Sequence, residues 1–171
     1  GDPTDIIIDS IRYSIKYKSI EVKGFRPRGV VSHMGYDEQI TTQYIKEYEN
    51  IKEEYLKKYK EAGFTLFSEI PEQDKLDMYE TINTIVGKYL QEASVEQYEK
   101  FLLFLLGPSD IVLLKWKNGR VHFSKNAQIT SDNKALRVDG NKIYIGKHFM
   151  RLKNDNKIIT KFSMKYRFEL H

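Results

Sequence analysis

Four histidines, His33, His122, His148 and His171, are the side chains best suited to proton transfer or metal ligation near neutral pH. Their spacing fits neither use. No two of them form His-x-His or His-Glu-x-x-His, the spacings that bring two imidazoles to one ion. His122 falls among Lys115, Lys117 and Arg120, and that cationic company opposes both its protonation and a bound metal. Ser32 adjoins His33, but neighbouring side chains point apart, and no Gly-x-Ser-x-Gly elbow is present. There is no cysteine, which excludes disulfides, thiolate metal sites and a cysteine nucleophile. Carboxylate pairs such as Glu53-Glu54, or Asp74 with Asp77, lie on lysine-rich helical stretches and read as solvated. Asp132-x-Lys134 and Asp139-Gly140-Asn141 read as turns and lack the spacing of a calcium loop. No catalytic residue, metal ligand or cofactor is expected. An enzyme whose site is not legible in the sequence is the second alternative reading.

The cations carry more promise. Residues 107–171 hold 14 basic and 5 acidic side chains, net +9, whereas residues 37–106 hold 8 basic and 15 acidic, net −7. Halves of opposite sign pack together readily, and a basic half also suits an anionic partner. The candidate anion-binding residues are Arg26 and Arg28, from a glycine-rich stretch, with Lys161, Lys165 and Arg167 near the end of the chain. A nucleic-acid-binding sheet interleaves aromatics with such cations. Here Trp116, Phe123, Phe162, Tyr166 and Phe168 alternate onto the face opposite the basic residues, as in a half-buried sheet. A nucleic-acid or anionic-polymer module is therefore the first alternative. If instead the sheet curves around a pocket, Trp116, Phe123, Phe162 and Tyr166 are the expected lining.

The elements that position these groups follow from periodicity. Residues 157–170, KIITKFSMKYRFEL, alternate an apolar face (Ile158, Phe162, Met164, Tyr166, Phe168, Leu170) with a largely basic one, the pattern of a strand buried on one side. Fourteen residues exceed a usual strand, so a bend or a bulge near Ser163 is expected. Ile11, Tyr13, Ile15 and Tyr17 alternate with polar and basic residues in the same way. The two strands are expected to be neighbours, making one continuous basic surface. Residues 24–37, GFRPRGVVSHMGYD, read as a loop, without the ending of a phosphate-binding loop.

Residues 38–106 read as helical. Ile40, Tyr44, Tyr48, Ile51, Tyr55 and Tyr59 share one face of the first helix, expected to lie on the sheet with its hydroxyls at the edge. Pro71 opens a second helix carrying Leu76, Tyr79, Ile82, Val86 and Leu90, and Ser94 to Gln97 forms a capping box for a third. That third helix, with Phe101 to Leu106, is expected to be shielded on nearly all sides. From residue 110 the chain reads as strands. Asn118-Gly119 predicts a two-residue hairpin pairing Lys117 with Arg120, Trp116 with Val121 and Leu114 with Phe123. Further strands are expected near 127–131, 135–138, 142–145 and 148–153.

The expected architecture is a single α+β domain over residues 1–171. A strongly curved or partly closed antiparallel sheet, built from an N-terminal strand and six or seven C-terminal strands, packs with three central helices. The expected function is non-catalytic binding of a partner, whether a protein, a glycan or a small apolar ligand. No stretch of 18 apolar residues is present, so no membrane-spanning helix is expected. Gly1, ahead of Asp2-Pro3-Thr4, reads as a scar of cleavage, which favours a secreted or cell-envelope protein, a lipoprotein among them, over a cytoplasmic one. No motif is specific to a family.

Overall fold

The computed structural model describes residues 6–17, 21–106, 112–118, 120–125, 136–169 and 171. The described residues form an α+β arrangement with four α-helices and two sheets. The helices are α1 (Val30–His33), α2 (Glu38–Glu61), α3 (Glu72–Glu92) and α4 (Val95–Leu106). One sheet has the order β1-β2-β4-β5, from Ile6–Ile8, Ile11–Tyr17, Val112–Lys117 and Arg120–Lys125. The other has the order β3-β9-β8-β7-β6 and is antiparallel throughout. Its strands are β3 (Glu21–Phe25), β6 (Leu136–Asp139), β7 (Lys142–Ile145), β8 (His148–Asn154) and β9 (Met164–Glu169). β3 and β6 are its edges, so this sheet is open, not the partly closed one expected.

The neighbour of the last strand also differs from expectation. β9 pairs with β3, while β2 pairs in parallel with β4 and antiparallel with β1. A parallel pair needs a crossover, and the chain from β3 to α4 supplies it between β2 and β4. The hairpin of β4 and β5 has the predicted register: Lys117 faces Arg120, Trp116 faces Val121 and Leu114 faces Phe123. Asn118 there takes φ 52°, the left-handed backbone that asparagine tolerates at such a turn. The strand expected near 127–131 lies outside the described residues.

The stretch expected to be one fourteen-residue strand changes partner partway. Ile159 is buried while Ile158 is 43% exposed, the reverse of the predicted phase. Residues 157–159 hydrogen-bond to the connection before α3, through Phe67 N–H to Lys157 O (2.9 Å) and Ile159 N–H to Thr65 O (3.0 Å). A 3-10 turn over Ile159–Lys161 then shifts the alternation, and Phe162, Met164, Tyr166 and Phe168 are all buried. The loop expected over residues 24–37 is mostly regular as well. Phe25 ends β3, Pro27–Gly29 makes a 3-10 turn, and Val30, Val31 and Met34 are buried in and beside α1. The apolar side chains inside that glycine-rich stretch outweigh its turn composition.

α3 lies against β6, β7 and β8 and backs the sheet. A Cβ on Gly87 would stand 3.2 Å from Val138 Cγ2, so glycine allows this close approach of helix to strand. Asn83 is buried and bridges the two layers. Its Oδ1 accepts from the Tyr166 hydroxyl at 2.5 Å, and its Nδ2 donates to Gly140 O at 3.0 Å. Pro71 is the residue just ahead of α3, and Leu76 is exposed while Met78 is buried in its place.

α2 packs mainly on α3 through its tyrosine stripe, and meets the expected sheet at the Tyr44 and Tyr48 end, near Tyr166 of β9. Tyr55 and Tyr59 find hydroxyl partners on α3, Thr81 Oγ1 (3.0 Å) and Asp74 O (3.1 Å), and Tyr44 donates to Pro27 O in the turn before α1. Asp37 caps α2 by accepting from Ile40 N–H at 2.8 Å. The capping box of α4 is reciprocal, Gln97 N–H to Ser94 Oγ at 3.1 Å and Ser94 N–H to Gln97 Oε1 at 2.9 Å. α4 sets Phe101 and Phe104 edge-on to Phe25, but Leu103 is 58% exposed, so the helix is not shielded all round. No described helix is long and apolar enough to cross a membrane.

Candidate anion-binding face

Strand alternation assigns each residue of β6 to β9 to one side of the sheet. The side toward α3 carries Val138, Ile143, Ile145, Met150, Leu152, Met164, Tyr166 and Phe168. Ten positions face the other way. They comprise six cations (Arg137, Lys142, Arg151, Lys153, Lys165, Arg167), two carboxylates (Asp139, Glu169) and two aromatics (Tyr144, Phe149).

The register lines the cations up across strands. Lys142 on β7 faces Arg151 on β8, which faces Arg167 on β9. The next row sets Lys153 directly opposite Lys165. Neighbouring strands are about 4.8 Å apart, and like charges placed directly opposite destabilise a sheet. The two carboxylates relieve only part of this. Glu169 Oε2 accepts from Arg151 Nε at 2.9 Å, and Asp139 lies 3.7 Å from the exposed Arg137. Among the described residues, neither Lys153 nor Lys165 has an acidic partner.

The two aromatics hold the cations in place. The Arg137 guanidinium lies 4.2 Å from the Tyr144 ring centre. Lys142 Nζ and Arg151 lie 4.8 and 5.2 Å from that of Phe149, and the Tyr144 and Phe149 rings are 5.3 Å apart. The His171 imidazole also stacks on Phe149 at 4.4 Å. Phe149 is buried under these groups although it is on the outer side of the sheet. Cations over ring faces gain about 0.5–1 kcal/mol each at exposed sites and lose rotational freedom there. Beside them His148 is buried, its Nδ1 accepting from His171 N–H at 2.8 Å. Burial, then Lys147 and His171, push its pKa down to about 4, so it is a neutral acceptor at pH 7.

The anion-binding residues predicted from sequence separate into four places. Lys165 and Arg167 stand on the face just described. Arg26 follows β3 and reaches the start of β9, donating to Ser163 Oγ (2.9 Å) and Met164 O (3.0 Å) and pairing with Asp155 at 3.0 Å. It is spent on fixing β3 to β9. Arg28 lies 3.8 Å from Glu49 of α2, and Lys161 is exposed on the 3-10 turn before β9. The predicted pocket lining also divides. Trp116 and Phe123 belong to β4 and β5 of the other sheet, and their side chains lie outside the described ones. Tyr166 is fully buried, stacked on Phe25 at 5.4 Å, and Phe162 packs on Phe67 at 5.7 Å, so both serve the core.

Sequence reasoning overlooked Tyr144, Phe149 and the cations of β7 and β8. The signal was present: strands at 142–145 and 148–153 joined by Gly146-Lys147 make a two-residue hairpin. That hairpin puts Lys142, Tyr144, Phe149, Arg151 and Lys153 on one side. Among the described side chains, His33 forms no centre with them. His33 stacks on Phe104 at 3.6 Å, with burial and then Lys23 lowering its pKa, and His122 has its side chain outside the described ones. Among the described residues no three His, Asp or Glu side chains are grouped to hold a metal ion. A scan against family models, a search of curated proteins and a search of solved structures each returned no match.

Proposed function

We propose that this chain is a non-catalytic binding module whose outer sheet face takes a polyanion, a polymer carrying regularly spaced phosphate or sulfate groups. One observation carries the reading: Lys153 sits directly opposite Lys165 with no acidic partner among the described residues, beside the row Lys142–Arg151–Arg167, whose acidic neighbours are Asp139 opposite Lys142 and Glu169 on Arg151. Such rows cost stability in the free protein, and an anionic ligand removes the cost. The rings of Tyr144 and Phe149 are already covered by cations, so they order the grip on the anions and leave no open platform for bases. Recognition is therefore electrostatic and independent of sequence.

The test is fluorescence anisotropy with a labelled 20-nucleotide deoxythymidylate, with heparin and with uncharged dextran. The proposal expects binding to one or both polyanions and none to dextran. For deoxythymidylate with four phosphates neutralised, log affinity should fall with log salt at a slope of about −2.8. Lys153→Glu with Lys165→Glu should abolish most of the binding. Affinity insensitive to salt, or a double variant that binds as the parent does, overturns the proposal.

A further inference from the structure

A cleft of about 630 Å³ opens on a different part of the molecule, where the connection before α3 meets the turn after β8. It is lined by Leu66, Phe67, Ser68 and Lys75 on one side and by residues 154–157 on the other. That volume falls within the range of about 300–1,000 Å³ that small-molecule sites occupy.

Its walls are fixed in advance. Glu69 accepts from Leu66 N–H (2.7 Å) and Thr65 Oγ1 (2.9 Å), which sets the turn carrying Leu66 to Ser68. On the opposite wall, Asn154 Oδ1 accepts from Ser163 N–H (3.1 Å), and Asn154 N–H donates to the Tyr79 hydroxyl at 3.1 Å. Phe67 N–H to Lys157 O ties the two walls together. The apolar part is Leu66, 44% exposed, and the ring of Phe67.

The uncommitted polar groups are almost all donors. Lys75 is the informative one. Its side chain is 13% exposed, its Nζ lies 5.1 Å from the Phe67 ring centre, and its acidic partner at 3.1 Å is Glu72, itself 84% exposed. A pair with so solvated a carboxylate is worth little, so an incoming anion replaces Glu72 at small cost. Among the described residues Lys157 Nζ, Asn156 Nδ2 and the Ser68 hydroxyl have no partner. The one carboxylate in the lining, Asp155, is already paired with Arg26.

We infer that this cleft binds a small carboxylate with an aromatic or aliphatic body, the carboxylate on Lys75 and Lys157 and the body against Leu66 and Phe67. It is independent of the basic face, since none of the rows Lys142–Arg151–Arg167 and Lys153–Lys165 lines it.

The probe is 4-phenylbutyrate, titrated into the ¹⁵N-labelled protein at pH 7, with 4-phenylbutanamide and 4-phenylbutylamine as uncharged and cationic counterparts. The expected result is saturable shifts confined to residues 66–68, 75 and 154–157, with the amide weaker and the amine without effect. Lys75→Met, which keeps the stem over Phe67, should weaken the carboxylate by about tenfold or more. Ser68→Trp should fill the cleft and abolish the shifts while polyanion binding persists. Shifts that do not saturate or that scatter over the surface overturn the inference. So do an amine as effective as the carboxylate, and Lys75→Met and Ser68→Trp proteins that both bind as the parent does.

Discussion

On the inner side of the five-stranded sheet, Tyr166 places its ring on Phe25 and its hydroxyl on Asn83 Oδ1, and Asn83 spends its amide on Gly140 O. One residue further on, Arg167 stands on the outer side opposite Arg151, and Lys165, one residue back, stands opposite Lys153. The same strand thus has every described polar atom of its inner side satisfied and like charges opposed on its outer side. Sheets gain from opposite charges across strands and lose from like ones. The inner side follows the rules that stabilise a fold, and the outer side departs from them at Lys153–Lys165 and Arg151–Arg167, a departure that the proposed anionic ligand would offset. That contrast separates the residues kept for folding from those available for binding.

Removing the inner-side contacts should have the largest effect. Tyr166→Ala deletes a fully buried ring and should lower stability by about 3–5 kcal/mol, measured by urea unfolding. Asn83→Ala leaves the Tyr166 hydroxyl and Gly140 O without their partner and should cost about 1–3 kcal/mol. A loss below half a kilocalorie in both would erase the distinction between the two sides.

Acid gives a smaller and more specific probe. His148 titrates near pH 4 in the folded chain and near its ordinary 6.5 when unfolded. The unfolded chain therefore binds the proton first. The stabilisation from neutral His148 is complete above pH 6.5 and is lost as pH falls from there to about 4. His148→Gln should flatten the stability profile in that window, and an unchanged slope would show that another group sets it.

Much of the inner side was legible in the sequence. Met164, Tyr166 and Phe168 alternate with charged residues, and in the other sheet the Asn118-Gly119 turn marked the register of β4 with β5, because period two and turn chemistry are local signals. The failures arose where the chain changes partner. Ile158 and Ile159 are both apolar, and only the pairing of residues 157–159 with Thr65 and Phe67 decides which is buried. Val30, Val31 and Met34 sit among glycines and a proline, so composition alone hid a piece of core. The outer face was partly visible in Lys165 and Arg167, but its rows depend on which strands are neighbours. Pairing of β8 with both β7 and β9 is long-range information that no single segment carries.

The smallest expected change in stability belongs to the pair Lys153 and Lys165. Lys153→Glu turns a like-charge pair with Lys165 into an opposite-charge one. Thermal unfolding of the free protein should then shift up by roughly 0.5–4 °C, from about 0.2–1 kcal/mol, while affinity for 20-nucleotide deoxythymidylate or heparin falls. A variant that unfolds at lower temperature, or one that binds the polyanion as tightly as before, would contradict the assignment of this face to anion binding.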